Sequence, residues 1–143
     1  MLWEVVGLID TEDESAEWIL PAEPGAVRVA RHDVRDTLRA WRLSPGVEDT
    51  AMLLVSELVT NSLTYAPGPI GMRLELRTLP DREEVLLVEI SDQRPEAPIV
   101  QRTPGPEDER GRGLQLVARS ARRWGTRRGK TGKTVWFELP LHG

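Results

Sequence analysis

Two runs in the middle of the chain constrain its fold more than any other feature. In Met72-Arg73-Leu74-Glu75-Leu76-Arg77 apolar and charged residues alternate strictly, and Val85-Leu86-Leu87-Val88-Glu89-Ile90 follows after a Pro80-Asp81 turn. A period of two puts every second side chain on one face of an extended strand, so the pair reads as an antiparallel hairpin. A second pair is predicted at 124–128 and 134–139, around the turn Gly129-Lys130-Thr131-Gly132. Trp18-Ile19-Leu20, stopped by Pro21, reads as one more short strand.

Between these strands the period changes. Val27, Ala30, Val34, Leu38 and Trp41 recur at three- and four-residue steps, with Arg28, Arg31, Arg35 and Arg39 off the stripe, which predicts an amphipathic surface helix. Ser44 then Pro45 supplies an N-cap and a first-turn proline for a second helix. Its inward face comprises Val47, Ala51, Leu54, Val55, Leu58 and Ser62, and it stops at Ala66-Pro67-Gly68-Pro69. Residues 93–110 carry four prolines and little periodicity, so they read as a long loop lying over a site as a lid. Gly111-Arg112-Gly113 then opens a third helix, with Leu114, Val117, Ala118 and Ala121 inward. Strands come in pairs and not singly between helices, which argues for an α+β two-layer sandwich: a mostly antiparallel mixed sheet covered on one face by helices. Residues 1–17 are expected to form an N-terminal arm or extra strand, ending in the acidic linker 10–17, and residues 18–143 a single domain.

Composition narrows the chemistry. With no cysteine there is no disulfide framework, thiolate metal site or thiol nucleophile, and the two histidines, His32 and His142, are far apart. No apolar run approaches the ~20 residues that span a bilayer, and no basic leader precedes an apolar stretch, so a cytoplasmic protein without membrane contact is expected. The net charge of −4 is unevenly spread: residues 1–23 hold seven acids and no Lys or Arg, and residues 110–133 hold nine bases and no acid. Such a basic block either attracts phosphate or is a solvated face balanced by acids elsewhere. Direct nucleic-acid binding through it is not expected.

Three places carry polar groups in informative settings. Glu57 and Asn61 are one helical turn apart on an otherwise apolar helix. A carboxylate beside an amide oxygen is the hard-oxygen chemistry of Mg²⁺, which takes its other ligands from water and phosphates; the plain alternative is a hydrogen-bonding pair at the solvent edge. Asp92 follows a buried-looking strand, where its carboxylate could accept a hydrogen bond from an exocyclic amino group or simply form a turn. Gly111 and Gly113 let backbone approach phosphate at a helix N-terminus, or serve as a hinge.

In this order the pieces resemble the GHKL superfamily of Bergerat-fold ATP-binding domains. Residues 53–62, Leu-Leu-Val-Ser-Glu-Leu-Val-Thr-Asn-Ser, look like its N box. Ile90-Ser91-Asp92 is similar to its first glycine box, residues 111–117 to its second, and Lys133-Thr134-Val135-Trp136-Phe137 to its closing strand. Within that superfamily the chain most resembles single-domain anti-sigma factor serine/threonine kinases of actinobacterial type. The resemblance implies that Asn61 coordinates Mg²⁺ on ATP and that Asp92 and Thr134 fix adenine. Gly111, Arg112, Gly113 and Leu114 would lie at the nucleotide, and Glu57 would be the catalytic base. It further implies a kinase that phosphorylates a STAS-type anti-sigma factor antagonist and sequesters a sigma factor, with a homodimer plausible. A nucleotide-binding or nucleotide-free interaction module of the same fold is the alternative. One departure stands out: the family's glycine two residues after the aspartate is Arg94 here.

Overall fold

The computed structural model describes residues 14–65, 68–93, 109–130 and 132–141. Eight elements follow in chain order: β1 (Ser15–Leu20), α1 (Ala26–Ala40), α2 (Pro45–Tyr65), β2 (Ile70–Thr78), β3 (Glu84–Asp92), α3 (Glu109–Ser120), β4 (Arg123–Arg128) and β5 (Lys133–Pro140). The strands form one five-stranded sheet in the order β1-β2-β3-β5-β4. All four pairings are antiparallel, so the α+β sandwich is as expected and its sheet is more uniform than the mixed one anticipated.

The β2–β3 hairpin forms where alternation places it, with Met72 opposite Ile90, Leu74 opposite Val88 and Leu76 opposite Leu86. At its turn Asp81 Oδ1 accepts the Glu83 N–H at 3.0 Å, and Arg82 takes a left-handed φ of 71°. The helix-facing side of the sheet supplies Leu20, Ile70, Met72, Leu74, Leu86, Val88, Ile90, Phe137 and Leu139 to a single core. Ala30, Val34 and Leu38 of α1 and Leu54, Val55, Leu58 and Val59 of α2 complete it. Val59 falls outside the stripe expected for α2 because that helix packs on both α1 and α3, and so buries a wider arc. Arg39 Nε donates to Glu48 Oε1 at 3.2 Å and ties α1 to the first turn of α2.

Two element starts differ from expectation. Strand β1 begins at Ser15 and takes in residues read as linker, because Ser15, Ala16 and Glu17 pair with Glu75, Leu74 and Arg73. It therefore straddles the expected boundary between arm and domain; residues 1–13 of the arm lie outside the described residues. Helix α3 begins at Glu109, two residues before Gly111, so Glu109 and Arg110 belong to it and not to the proline-rich loop. Residues 94–108 of that loop lie outside the described residues.

Phe137, fully buried on the central part of β5, is the largest enclosed side chain among the described residues. Phe137→Ala is expected to lower unfolding free energy by about 3–5 kcal/mol through lost burial and a residual cavity, read from the denaturant midpoint.

Candidate functional site

Topology gathers the sequence motifs at one end of the sheet. Helix α2 ends at Tyr65 and β2 starts at Ile70, so the last turns of α2 adjoin the end where β2 begins and β3 finishes. Gly68, at φ +89°, lies so close to Gln93 that an added Cβ would stand 3.0 Å from Gln93 Oε1. On the other flank Gly132 closes onto the backbone of Asp92. Helix α3 leads into β4, whose first residue Arg123 pairs with Glu138 at the far end, and its start therefore points back toward Asp92. Gly111 lies in the first turn of α3, where N–H groups have no intrahelical acceptor, whereas Gly113 lies in the second. Leu114 packs against the hydrophobic core. The Arg112 side chain lies outside what is described.

On α2 the polar residues divide into two groups. Ser56 Oγ donates to the Met52 carbonyl at 2.7 Å and Thr64 Oγ1 to the Thr60 carbonyl at 2.9 Å, so these hydroxyls are satisfied by their own helix. Glu57 and Asn61 are half-buried, and among the described residues neither side chain has a hydrogen-bond or ion-pair partner. Half-buried and one helical turn apart, both heads remain open to solvent or to a ligand. Among the described residues no three His, Cys, Asp or Glu side chains could hold a metal, so a cation at Asn61 would need ligands from water and phosphate.

Asp92 is only 9% exposed, at the helix-facing end of β3. Its direct cross-strand partner is Lys133, with Nζ 3.8 Å from Oδ2. Thr134, expected to fix adenine together with Asp92, is one residue out of phase with that pair. It stands opposite Ser91 on the other face of the sheet, and the two hydroxyl oxygens are 2.8 Å apart. The register therefore does not bring Asp92 and Thr134 together, and Lys133, which motif matching passed over as a site residue, takes the adjacent place. A signal was present: in an antiparallel pair the residue facing Asp92 is set by counting, once one contact between the strands is known.

Gly132 is required by this geometry, since a Cβ there would run into the Asp92 carbonyl oxygen. Gly132→Ala is expected to destabilise the protein by about 1–3 kcal/mol by forcing β3 and β5 apart at this end. Gly129→Ala, whose Cβ would meet only the Gly132 carbonyl at an ordinary 3.7 Å, should change stability by less than about 0.5 kcal/mol.

Several cations of the basic block are paired on the sheet among the described residues. Arg127 Nη2 donates to Glu89 Oε2 at 2.8 Å, Arg123 forms a two-pronged pair with Glu138 at 3.1 Å, and Arg122 lies 3.0 Å from Glu83. Hydrogen bonding to Glu138 pushes the Arg123 guanidinium still further toward its charged form. These cations join a ladder on the outer face of the sheet in which Arg73 reaches Glu75 at 2.8 Å and Glu17 at 3.2 Å. The charges that balance Arg122, Arg123 and Arg127 are thus acids of β3, β5 and the hairpin turn.

A cleft of about 510 Å³ opens at the opposite end of the sheet, between Trp41, Arg42 and Leu43 after α1, Arg77 and Thr78 of β2, and Leu141. It contains none of the motif residues, and size alone does not make it the site. No helix among the described residues is long and apolar enough to cross a membrane.

Comparison with known proteins bears on the family and the fold. The family model for the histidine kinase-like ATPase domain matches residues 20–139. No curated protein matches the chain. Among solved structures, the RsbU and RsbW domains of Rv1364c from Mycobacterium tuberculosis superpose with a TM-score of 0.62 at 16% identity, over 89% of this chain and 32% of that one. The present chain thus corresponds to about a third of the mycobacterial polypeptide. The SiaB–SiaC complex from Pseudomonas aeruginosa gives a TM-score of 0.58 at 16% identity, over 87% of this chain and 88% of that one. At such identities the likeness is one of fold.

Proposed function

Because the chain belongs to the histidine kinase-like ATPase domain family, we propose that it is an ATP-using regulatory serine kinase of the anti-sigma factor type. It would phosphorylate a serine on a STAS-type antagonist and hold a sigma factor when that antagonist is phosphorylated. The observation that carries this reading is the Glu57–Asn61 pair, half-buried and without a partner among the described residues, on the helix whose end leads into β2.

The residues fit a magnesium nucleotide. Asn61 offers a neutral amide oxygen, Asp92 an acceptor-only carboxylate suited to an adenine amino group, and the first turn of α3 free N–H groups suited to phosphate. Bound ATP supplies the phosphoryl group for transfer. Glu57 would take the proton of the partner's serine hydroxyl, a role that needs position more than unusual basicity. A partner protein is consistent with the SiaB–SiaC complex among the similar folds.

A second reading, a protein-interaction module without phosphoryl transfer, draws on Arg94 at the family's glycine position; Arg94 lies outside the described residues. The two separate when purified protein is incubated with radiolabelled ATP, Mg²⁺ and the antagonists encoded in the same genome. The kinase reading expects label on one antagonist. Nucleotide binding with no transfer to any of them leaves the module.

A further inference from the structure

We propose that Lys133 supplies the second contact to the adenine ring, acting with Asp92 as a paired donor and acceptor on the hydrogen-bonding edge of the base. The inference rests on the nucleotide reading above and deepens it.

Asp92 and Lys133 are direct partners across β3 and β5 and share the helix-facing side of the sheet. Their charged atoms are 3.8 Å apart, an ion pair longer than a hydrogen bond, and a carboxylate has lone pairs enough to accept from more than one donor. Both are held: the lysine side chain is 20% exposed and that of the aspartate 7%. Gly132 packs directly on the Asp92 backbone and fixes the start of β5 beside it. Chemically the two heads are opposites, a carboxylate that only accepts and an ammonium that only donates. Adenine presents the matching pattern, an N6 amino donor next to a ring-nitrogen acceptor. Guanine places a carbonyl oxygen where the amino group would be, and that oxygen meets the carboxylate unfavourably. Thr134 is not available for this contact, because its hydroxyl stands at Ser91 on the opposite face and strand alternation cannot bring both to one ring. Lys133 is therefore a specificity-determining residue on the base, and not a phosphate ligand.

The test is calorimetry on the full chain with Mg²⁺, comparing the native protein with Lys133→Met and Lys133→Arg. Lys133→Met should weaken ATP by about tenfold or more, the effect of removing a charged hydrogen-bond donor, and Lys133→Arg should restore most of it. The same fold-loss is expected for ADP, since the contact is to the base. It should vanish when 1-deaza-ATP or 7-deaza-ATP removes the ring acceptor concerned. A loss confined to ATP, or one that persists with both deaza analogues, overturns the proposal in favour of a phosphate or structural role. Unchanged ATP affinity in Lys133→Met overturns it while leaving the nucleotide site standing. A native protein that binds no ATP overturns the nucleotide reading itself. Matching circular dichroism spectra for the variants establish that each is folded.

Discussion

Asn61→Ala is expected to abolish magnesium-dependent nucleotide binding while leaving the fold intact or slightly more stable. Both halves follow from the same observation. Asn61 lies half-buried in the interior of α2 with no partner among the described residues, so removing its amide breaks no hydrogen bond of the fold. Alanine is the better helix former, by about half a kcal/mol, so the melting temperature should hold or rise. If the amide oxygen is a ligand of Mg²⁺, its loss removes a direct coordination bond, and affinity for ATP in the presence of the ion should fall about a hundredfold or more. Chelation gives an internal control. EDTA should weaken ATP binding by the native protein to the level of the variant and have little further effect on the variant. An equal EDTA response in both proteins would remove Asn61 from the metal. A stabilised protein that has lost its ligand is what a residue kept for function and not for packing should produce.

Glu57→Gln is the second large effect. It keeps the shape and hydrogen-bonding reach of the side chain but cannot take up a proton, so ATP affinity should stay within about twofold while transfer to the antagonist falls by about 10²–10⁴. A loss of binding equal to the loss of rate would instead make Glu57 a nucleotide contact, since only a group acting in the transition state lowers the turnover step alone. Stability should be almost unaffected, because Glu57, unlike Ser56 one residue earlier, has no bond to lose.

Much of this was legible in the sequence, for reasons that differ from element to element. Alternation in β2 is a local property, and its register with β3 follows from the short turn at Asp81, so the hairpin could be read directly. The stripe of α1 and the Ser44-Pro45 entry to α2 are equally local. The first residue of β1 was not local, because Ser15, Ala16 and Glu17 are held in the sheet by β2, more than fifty residues away. The basic block misled in the same way. Arg122, Arg123 and Arg127 are close in sequence, and the acids that neutralise them are brought there by strand pairing.

What the amino-acid order determined alone is the set of elements and the polar groups each one carries: Glu57 with Asn61 on a helical stripe, Asp92 at a strand end, Gly111 in the first turn of a helix. Those depend on periods of 3.6 and 2 and on a few capping and breaking residues. Tertiary structure decided which of these groups face one another. Lys133 and Thr134 are neighbours in the chain, yet pairing with β3 puts one beside Asp92 and the other across the sheet at Ser91. Successive side chains of a strand point to opposite faces, so only the register with the partner strand determines which of two adjacent residues reaches the site.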